Sequence, residues 1–424
     1  MSDKVNHVSA TSIAAFKACP IRYRLAYAEA IRVAEEPQPL RMGTAWHKGL
    51  EVLETPTGLA LSDHGNPLSV ATSFDPLPVV TDENRLELAV MLATAVYTTI
   101  PDYADPTEWA VEREIVANAI AAYHWLYGSG SEYETVATEL PFDLPLVNPE
   151  TGRPTPNFRR VGKIDRIIRH KGTGAILIQE YKSTSKPIDS GSTYWDRLRK
   201  DTQSKFYIVA ARDLQVQAVK PENAELPSIG RWWEPGQPLI SGLLHDVFHK
   251  PGISPKKLTQ AESAEFVKTG EYCGQEFSVV GTTVNRGDVV VPLMLVDDLT
   301  AEVEPGKKEG TFALRETPGM FGARLLQDMT TRPEFYFARR EVPFTDAELK
   351  AFEYQVWALQ RNMNEMERTG FWFENEANCE ATYKCCYCPI CYNNVPVFDG
   401  VTVPPGFRRL HVEDAEQVSV ADEA

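Results

Sequence analysis

Apolar residues recurring every three or four positions mark the helical stretches of this chain, and alternating ones mark its strands. Residues 9–54 read as helical, with Ser and Thr available as caps and Pro20 ending the first element. Two more helices are predicted at about 83–100 and 108–127, separated from the first by a Pro-, Gly- and Ser-rich loop at about 55–81. From Tyr133 the period shortens to two. Strands are predicted at 134–147, 159–169 and 175–183, with Pro149, Gly152 and Pro154 punctuating a long hairpin between the first two. A helix follows at about 194–214. Residues 215–335 carry strand-like runs at 242–249 and 289–296 but no catalytic pattern. A clear helical rhythm returns at 346–369, directly before a cysteine cluster, and no internal repeat is visible. Helix, sheet and helix in this order predict an α/β core.

Composition narrows the function classes. Hydrophobic residues at 43% and charged residues at 24% are ordinary for a soluble globular protein. No apolar run approaches the roughly 18 residues of a membrane span, and MSDKVNHVSATS has no signal-like apolar core, so a cytoplasmic protein without a membrane partner is expected. A net charge of −16 argues against a protein that coats nucleic acid, though not against an enzyme with a local basic groove. Part of the acidity is peripheral. Glu413, Asp414, Glu416, Asp422 and Glu423 lie in a tail without Lys or Arg that is expected to be disordered.

Four short motifs carry candidate chemistry. In Ala175-Ile-Leu-Ile-Gln-Glu-Tyr-Lys182, Glu180 and Lys182 share one face of a strand, so a carboxylate that can bind a hard cation stands beside an ammonium. Val161-Gly-Lys-Ile-Asp165 lies on the preceding strand, and hairpin pairing would bring Asp165 next to Glu180. Two converging carboxylates are costly unless a cation sits between them. His47 lies in Gly43-Thr-Ala-Trp-His-Lys-Gly-Leu-Glu51, with Glu51 one turn away. Gln203 and Tyr207 are spaced i, i+4 on the following helix. Arg197, Arg199, Lys200 and Lys205, with Arg159, Arg160, Lys163 and Arg166, are candidate phosphate contacts. Taken singly, each motif reads equally well as a solvated ion pair, a capping Asp, a structural His or a charged helix face.

Seven cysteines occur: Cys19, Cys273, Cys379, Cys385, Cys386, Cys388 and Cys391. Five crowd into the segment from Cys379 to Cys391, a density that favours metal binding over disulfides in a reducing compartment. Cys273 reads as an ordinary cysteine.

In combination, Gly-(x)3-His, Gly-x-x-Asp, Glu-x-Lys and Gln-(x)3-Tyr resemble the RecB-like branch of the PD-(D/E)XK nuclease superfamily. Ser12-Ile-Ala-Ala-Phe-Lys-Ala-Cys-Pro-Ile-Arg-Tyr-Arg-Leu-Ala-Tyr27 is similar to that family's N-terminus. The resemblance covers about residues 8–54, 132–212 and 371–391. It implies a mixed central sheet flanked by helices, with His47, Asp165 and Glu180 binding Mg2+ or Mn2+, Lys182 catalytic, and Gln203 and Tyr207 completing the site.

The cysteines resemble those of the CRISPR-associated and AddB-type nucleases, in which one N-terminal and three C-terminal cysteines hold an iron–sulfur cluster. That implies a [4Fe–4S] clasp on Cys19, Cys379, Cys385 and Cys391. Cys386 and Cys388 depart from the pattern and leave the ligand set open, with Cys385-xx-Cys388-xx-Cys391 and a structural Zn2+ site as alternatives. Cys19 and Cys379 stand 360 positions apart, so a clasp would close a very long loop and serve the fold.

The expected organisation is a helical part at 1–130, a nuclease core at 131–214, an insert at 215–340, a final helix and cysteine cluster at 341–399, and a tail at 400–424. The layout is similar to bacteriophage-encoded RecB-family exonucleases, which would place the chain in a bacterial host cytoplasm. The expected activity is metal-dependent exonucleolytic hydrolysis of DNA ends or single strands in recombination, repair or phage DNA processing, alongside recombination or replication proteins. A structure-specific endonuclease and a non-catalytic DNA-binding accessory protein with a structural metal site are the alternatives.

Overall fold

The computed structural model describes residues 5–59, 78–128, 130–218, 236, 238–286, 289–308, 310–381 and 384–410. The acidic run from Glu413 and most of the loop expected at 55–81 lie outside these residues.

The chain begins with β1 (Asn6–Val8), α1 (Ala10–Ala18), α2 (Pro20–Tyr23), β2 (Ile31–Val33) and α3 (Gln38–Glu54), followed by α4 (Arg85–Ala95) and α5 (Pro106–Tyr127). Three long strands come next: β3 (Tyr133–Val147), β4 (Pro154–His170) and β5 (Ile176–Thr184). After them run α6 (Tyr194–Leu198), α7 (Thr202–Ala218) and β6 (Gly242–His249). A lobe is built from α8 (Gln260–Thr269), β7 (Glu271–Tyr272), β8 (Gln275–Glu276), β9 (Val279–Arg286), β10 (Val289–Val296), β11 (Leu299–Ala301), β12 (Val303–Pro305) and β13 (Phe312–Leu314). The chain continues through α9 (Pro318–Thr331), α10 (Pro333–Tyr336), β14 (Phe337–Pro343) and α11 (Asp346–Thr369). It closes with α12 (Cys388–Tyr392) and β15 (Phe407–Arg409).

The stretch expected to be helical throughout, 9–54, is interrupted. After α2 a single π turn over Arg24–Ala28 and Ala30 at φ 51° end the helical run, and β2 follows. The helix expected at 194–214 is two, because the backbone turns at Arg199–Asp201 before α7 restarts with Gln203 in its first turn.

One sheet organises the molecule. Its path is β1-β4-β5-β6-β14, and β3 pairs with β4 off that path. β5 and β6 run parallel, whereas β3–β4, β4–β5 and β6–β14 are antiparallel, so the sheet is mixed. The stretch 215–340 therefore supplies β6 and most of β14 to the central sheet as well as the separate lobe, whose small core is Leu258, Phe266, Val296, Ala301, Leu314 and Met320.

β4 is the strand that shapes the site. One of its edges is covered by β3 along most of its length. The other pairs with β1 at Phe158–Arg160 and with β5 at Arg166–Arg169. Between them, residues 161–165 have no strand partner on that edge. The sheet opens into a notch there, and Asp165 stands at its margin.

Helices bury both faces. Ile13 and Phe16 of α1, Phe206, Tyr207 and Ala210 of α7, and Phe352, Val356 and Met363 of α11 pack with Ile164, Ile176 and Ile178. On the opposite face Trp46 and Leu50 of α3, Leu92 of α4, Val116 and Ile120 of α5 and Leu325 of α9 pack with Tyr181, Phe248 and Phe337. Beneath that face Asp246 accepts hydrogen bonds from Tyr123 Oη (2.6 Å), Gln179 Nε2 (2.7 Å) and Arg339 Nε (2.8 Å), locking α5, β5, β6 and β14 together. No described helix is long and apolar enough to cross a membrane.

The approach of α3 to α5 requires a glycine. A Cβ on Gly49 would lie 2.3 Å from Ile120 Cδ1 and 3.3 Å from Ala93 Cβ, both of them buried. Gly49→Ala is expected to destabilise the fold by about 1–3 kcal/mol through overpacking, measured as a lowered thermal midpoint. An unchanged midpoint would mean that α3 is not held this tightly.

Candidate active site

β5 carries two alternating sets of side chains. Gln179 and Tyr181 face α3 and α5, while Ile178, Glu180 and Lys182 face α7. Glu180 is fully buried. Its Oε1 accepts a hydrogen bond from Lys182 Nζ at 2.7 Å, and its Oε2 has no hydrogen-bond partner among the described residues. Lys182 also donates to Gln203 Oε1, and Gln203 Nε2 donates to Tyr207 Oη at 3.2 Å. One face of α7 thus orients the lysine, as the i, i+4 spacing of Gln203 and Tyr207 predicts.

Asp165 crosses the notch. Where the β4–β5 ladder stops, its Oδ2 accepts the backbone N–H of Tyr181 at 3.0 Å in place of the missing ladder bond. Its Oδ1 stands 3.4 Å from Nδ1 of His47, a nitrogen that has no hydrogen-bond partner of its own. His47 is delivered by α3, and its ring meets Tyr181 edge-on at 5.9 Å.

The charges in this pocket are strongly perturbed. Burial and then the Asp165 charge push the Glu180 carboxyl far above the usual range, with Lys182 opposing them. Burial also raises Asp165, but His47, the Tyr181 N–H and Lys182 outweigh it and leave Asp165 below its ordinary value. Burial acts against the Lys182 ammonium, yet Glu180 and Asp201 hold its pKa up. A raised and a lowered carboxyl side by side are the arrangement that a shared cation relieves.

Two orphaned buried atoms, His47 Nδ1 and Glu180 Oε2, lie on either side of Asp165 and are the donors such an ion would use. The 3.4 Å between His47 Nδ1 and Asp165 Oδ1 is near the roughly 3 Å that separates adjacent ligands of an octahedral ion at about 2.1 Å. Among the described residues no three His, Cys, Asp or Glu side chains already form a closed metal-holding group.

Some sequence candidates fall elsewhere. Arg160, Lys163 and Arg166 are buried and paired with Asp213, Glu139 and Glu54, so they are not free to meet phosphate. Arg159 is paired with Asp143 at 2.5 Å. Arg197, Arg199 and Lys200 are exposed and Lys205 partly so, near the start of α7 beside Gln203. Glu51 pairs with Lys48 at 3.0 Å.

Two residues around the site had no sequence signal. His245 lies beside Glu180 in the β5–β6 register, with Nε2 3.4 Å from Ser204 Oγ. Burial and then Lys182 hold it neutral, with a pKa lowered to about 3. Glu139 is buried on β3 and bonded to Lys163.

The cysteines gather at the joined ends of the chain. Cys19, Cys379, Cys385, Cys388 and Cys391 line one cavity of about 120 Å3, and all seven cysteines are free thiols. Cys386 instead lines a separate groove with Arg22, Tyr27 and Arg32. Cys388 Sγ lies 3.5 Å from the Cys379 carbonyl. The ends are also tied by protein contacts. Asn375 and Asn378 both donate to the Ala18 carbonyl, Tyr387 Oη donates to the Ile31 carbonyl at 2.8 Å, and β15 pairs with β2.

A family model described as the PD-(D/E)XK nuclease superfamily matches residues 7–392, a span that includes every motif and every cysteine above. No curated protein matches the chain.

Because Glu180 must lose a proton to hold a cation, metal affinity is expected to rise with pH through its raised range. In the metal-free protein the folded state holds more protons than the unfolded one at this group. Stability therefore falls as pH climbs above the ordinary glutamate range, and divalent ion restores it. Thermal midpoints across pH with and without Mg2+ test this. A metal-free midpoint that rises over the same interval would contradict it.

Proposed function

The chain belongs to the PD-(D/E)XK nuclease superfamily, and from that premise we propose that it is a Mg2+- or Mn2+-dependent DNA exonuclease. The observation that carries the reading is the pair Asp165 and Glu180 across the β4–β5 notch, one carboxyl lowered and one raised, with an orphaned Glu180 oxygen and the Lys182–Gln203–Tyr207 chain beside them.

His47, Asp165 and Glu180 would hold the ion. When bound, it polarises the phosphodiester and lowers the pKa of an attacking water. Asp165 stays ionised through the Tyr181 N–H and His47. Lys182 keeps its proton, stands next to Glu180, and supplies a fixed positive charge for the oxyanion that develops at phosphorus. Gln203 and Tyr207 hold Lys182 in place, so it need not reorganise during reaction. Arg197, Arg199, Lys200 and Lys205 would meet the substrate phosphates.

The cysteine cavity supports an iron–sulfur clasp on Cys19, Cys379, Cys385 and Cys391, with Cys388 in reserve on the same wall and Cys386 turned away. A zinc tetrahedron needs four sulfurs about 2.3 Å from one point. Thiols spread around 120 Å3 suit a larger group. The clasp's role is structural, joining α1 to α12.

Glu180→Ala and Lys182→Ala are each expected to lower Mg2+-dependent digestion of linear DNA by about a hundredfold or more; unchanged digestion would overturn the assignment. Covalently closed single-stranded circles should resist the wild-type protein, and their cleavage would make it an endonuclease. Protein purified without oxygen should be brown, and Cys19→Ser should be colourless with a lower thermal midpoint. A colourless wild-type protein that contains zinc would replace iron–sulfur with the zinc alternative.

A further inference from the structure

Glu139 is an anomaly. It is a non-glycine residue at φ 49° inside β3, a conformation that costs about 1–2 kcal/mol for an L-residue. The β3–β4 register is unbroken around it, with Thr138 opposite Arg166 and Leu140 opposite Ile164, so a slipped strand is not the cause. Strain of this kind persists only where the surroundings fix it. Here the turned backbone brings the Glu139 carboxylate to Lys163 Nζ, with the side chains 7% and 8% exposed.

Lys163 lies two residues before Asp165 on β4. A buried ammonium is expensive unless it is well compensated, and this one is compensated several times over: Glu139, Glu51 and Asp165 all act on it electrostatically. Three carboxylates around one point are the donor set that two-ion phosphodiesterases use for their additional cation. In this chain the centre of that set is taken by a side chain. In agreement, no three of these acids stand at metal-holding spacing among the described residues.

We propose that Lys163, clamped by Glu139, is a permanent substitute for a second divalent cation beside Asp165, so that this nuclease works with one exchangeable ion. The proposal rests on the metal-dependent reading given above. Lys163 acts as a positioning residue: it keeps Asp165 and Glu51 from repelling each other while leaving the outer oxygen of Asp165 to the ion shared with His47 and Glu180. Glu139 accepts backbone strain because a carboxylate anywhere else on β3 would not reach the ammonium.

The test counts bound Mn2+ by electron paramagnetic resonance and calorimetry on the full chain purified with its thiol site intact. The wild type should bind one ion tightly and Lys163→Ala two. The second should be lost again in the double variant Lys163→Ala/Glu139→Gln, and Lys163→Arg should bind one. If Lys163→Ala does not fold, Lys163→Gln gives the same comparison with a smaller change in volume. Two ions in the wild type, or one in both wild type and the neutral variant, would overturn the proposal. No ion in the wild type would instead sink the metal-dependent reading on which it rests.

Discussion

Two carboxylates forced together where β4 and β5 part are the constraint around which this molecule is arranged. Asp165 bonds the Tyr181 backbone where the ladder ends, and Glu180 is fully buried one strand away with an oxygen left unpartnered. Neither placement is favourable alone. An isolated pair of buried like charges drives one group neutral, and that is the state of Glu180 without a cation. The surrounding elements answer this problem from different directions. α3 brings His47 to Asp165, and α7 brings Gln203 and Tyr207 to Lys182, which in turn holds Glu180. The close packing of Gly49 on Ile120 and the buried Asp246 node are what make those approaches reproducible.

The ends of the chain meet at a separate place, and packing there does not depend on metal alone. Leu25, Ile31, Tyr387, Ile390 and Val397 form a small core of their own beside the thiols. A group that joined Cys19 to Cys379 would therefore lock a contact that the chain already makes, adding the entropy of closing a very long loop. Arg22 faces both the cysteine cavity and the neighbouring groove, so the two surfaces share a wall.

Much of the catalytic half was legible because it obeys local rules. Alternation along 175–183 puts Glu180 and Lys182 on one face, helical spacing aligns Gln203 with Tyr207, and the order of motifs matches a known family. The rest depended on facts that no local rule carries. The gap at 161–165 exists because β1 and β5 pair with separate parts of one edge of β4, a consequence of topology. Arg160, Lys163 and Arg166 look like phosphate contacts in sequence, yet tertiary packing buries them in ion pairs. Glu139 takes part only through a left-handed backbone that its residue type disfavours. The stretch after residue 215 concealed a fully buried strand, Gly242–His249, whose neighbours in the sheet are remote in sequence from one another. Cys386 and Cys388 could not be told apart by spacing, since their directions are set by the turn that leads into α12.

The central claim is that Asp165, Glu180 and His47 converge on one divalent ion. Anomalous diffraction from crystals soaked in Mn2+ reads this directly. The account predicts one strong peak in the notch, about 2 Å from an oxygen of Asp165, an oxygen of Glu180 and Nδ1 of His47. An empty notch, or a peak whose ligands do not include both Asp165 and Glu180, would contradict it.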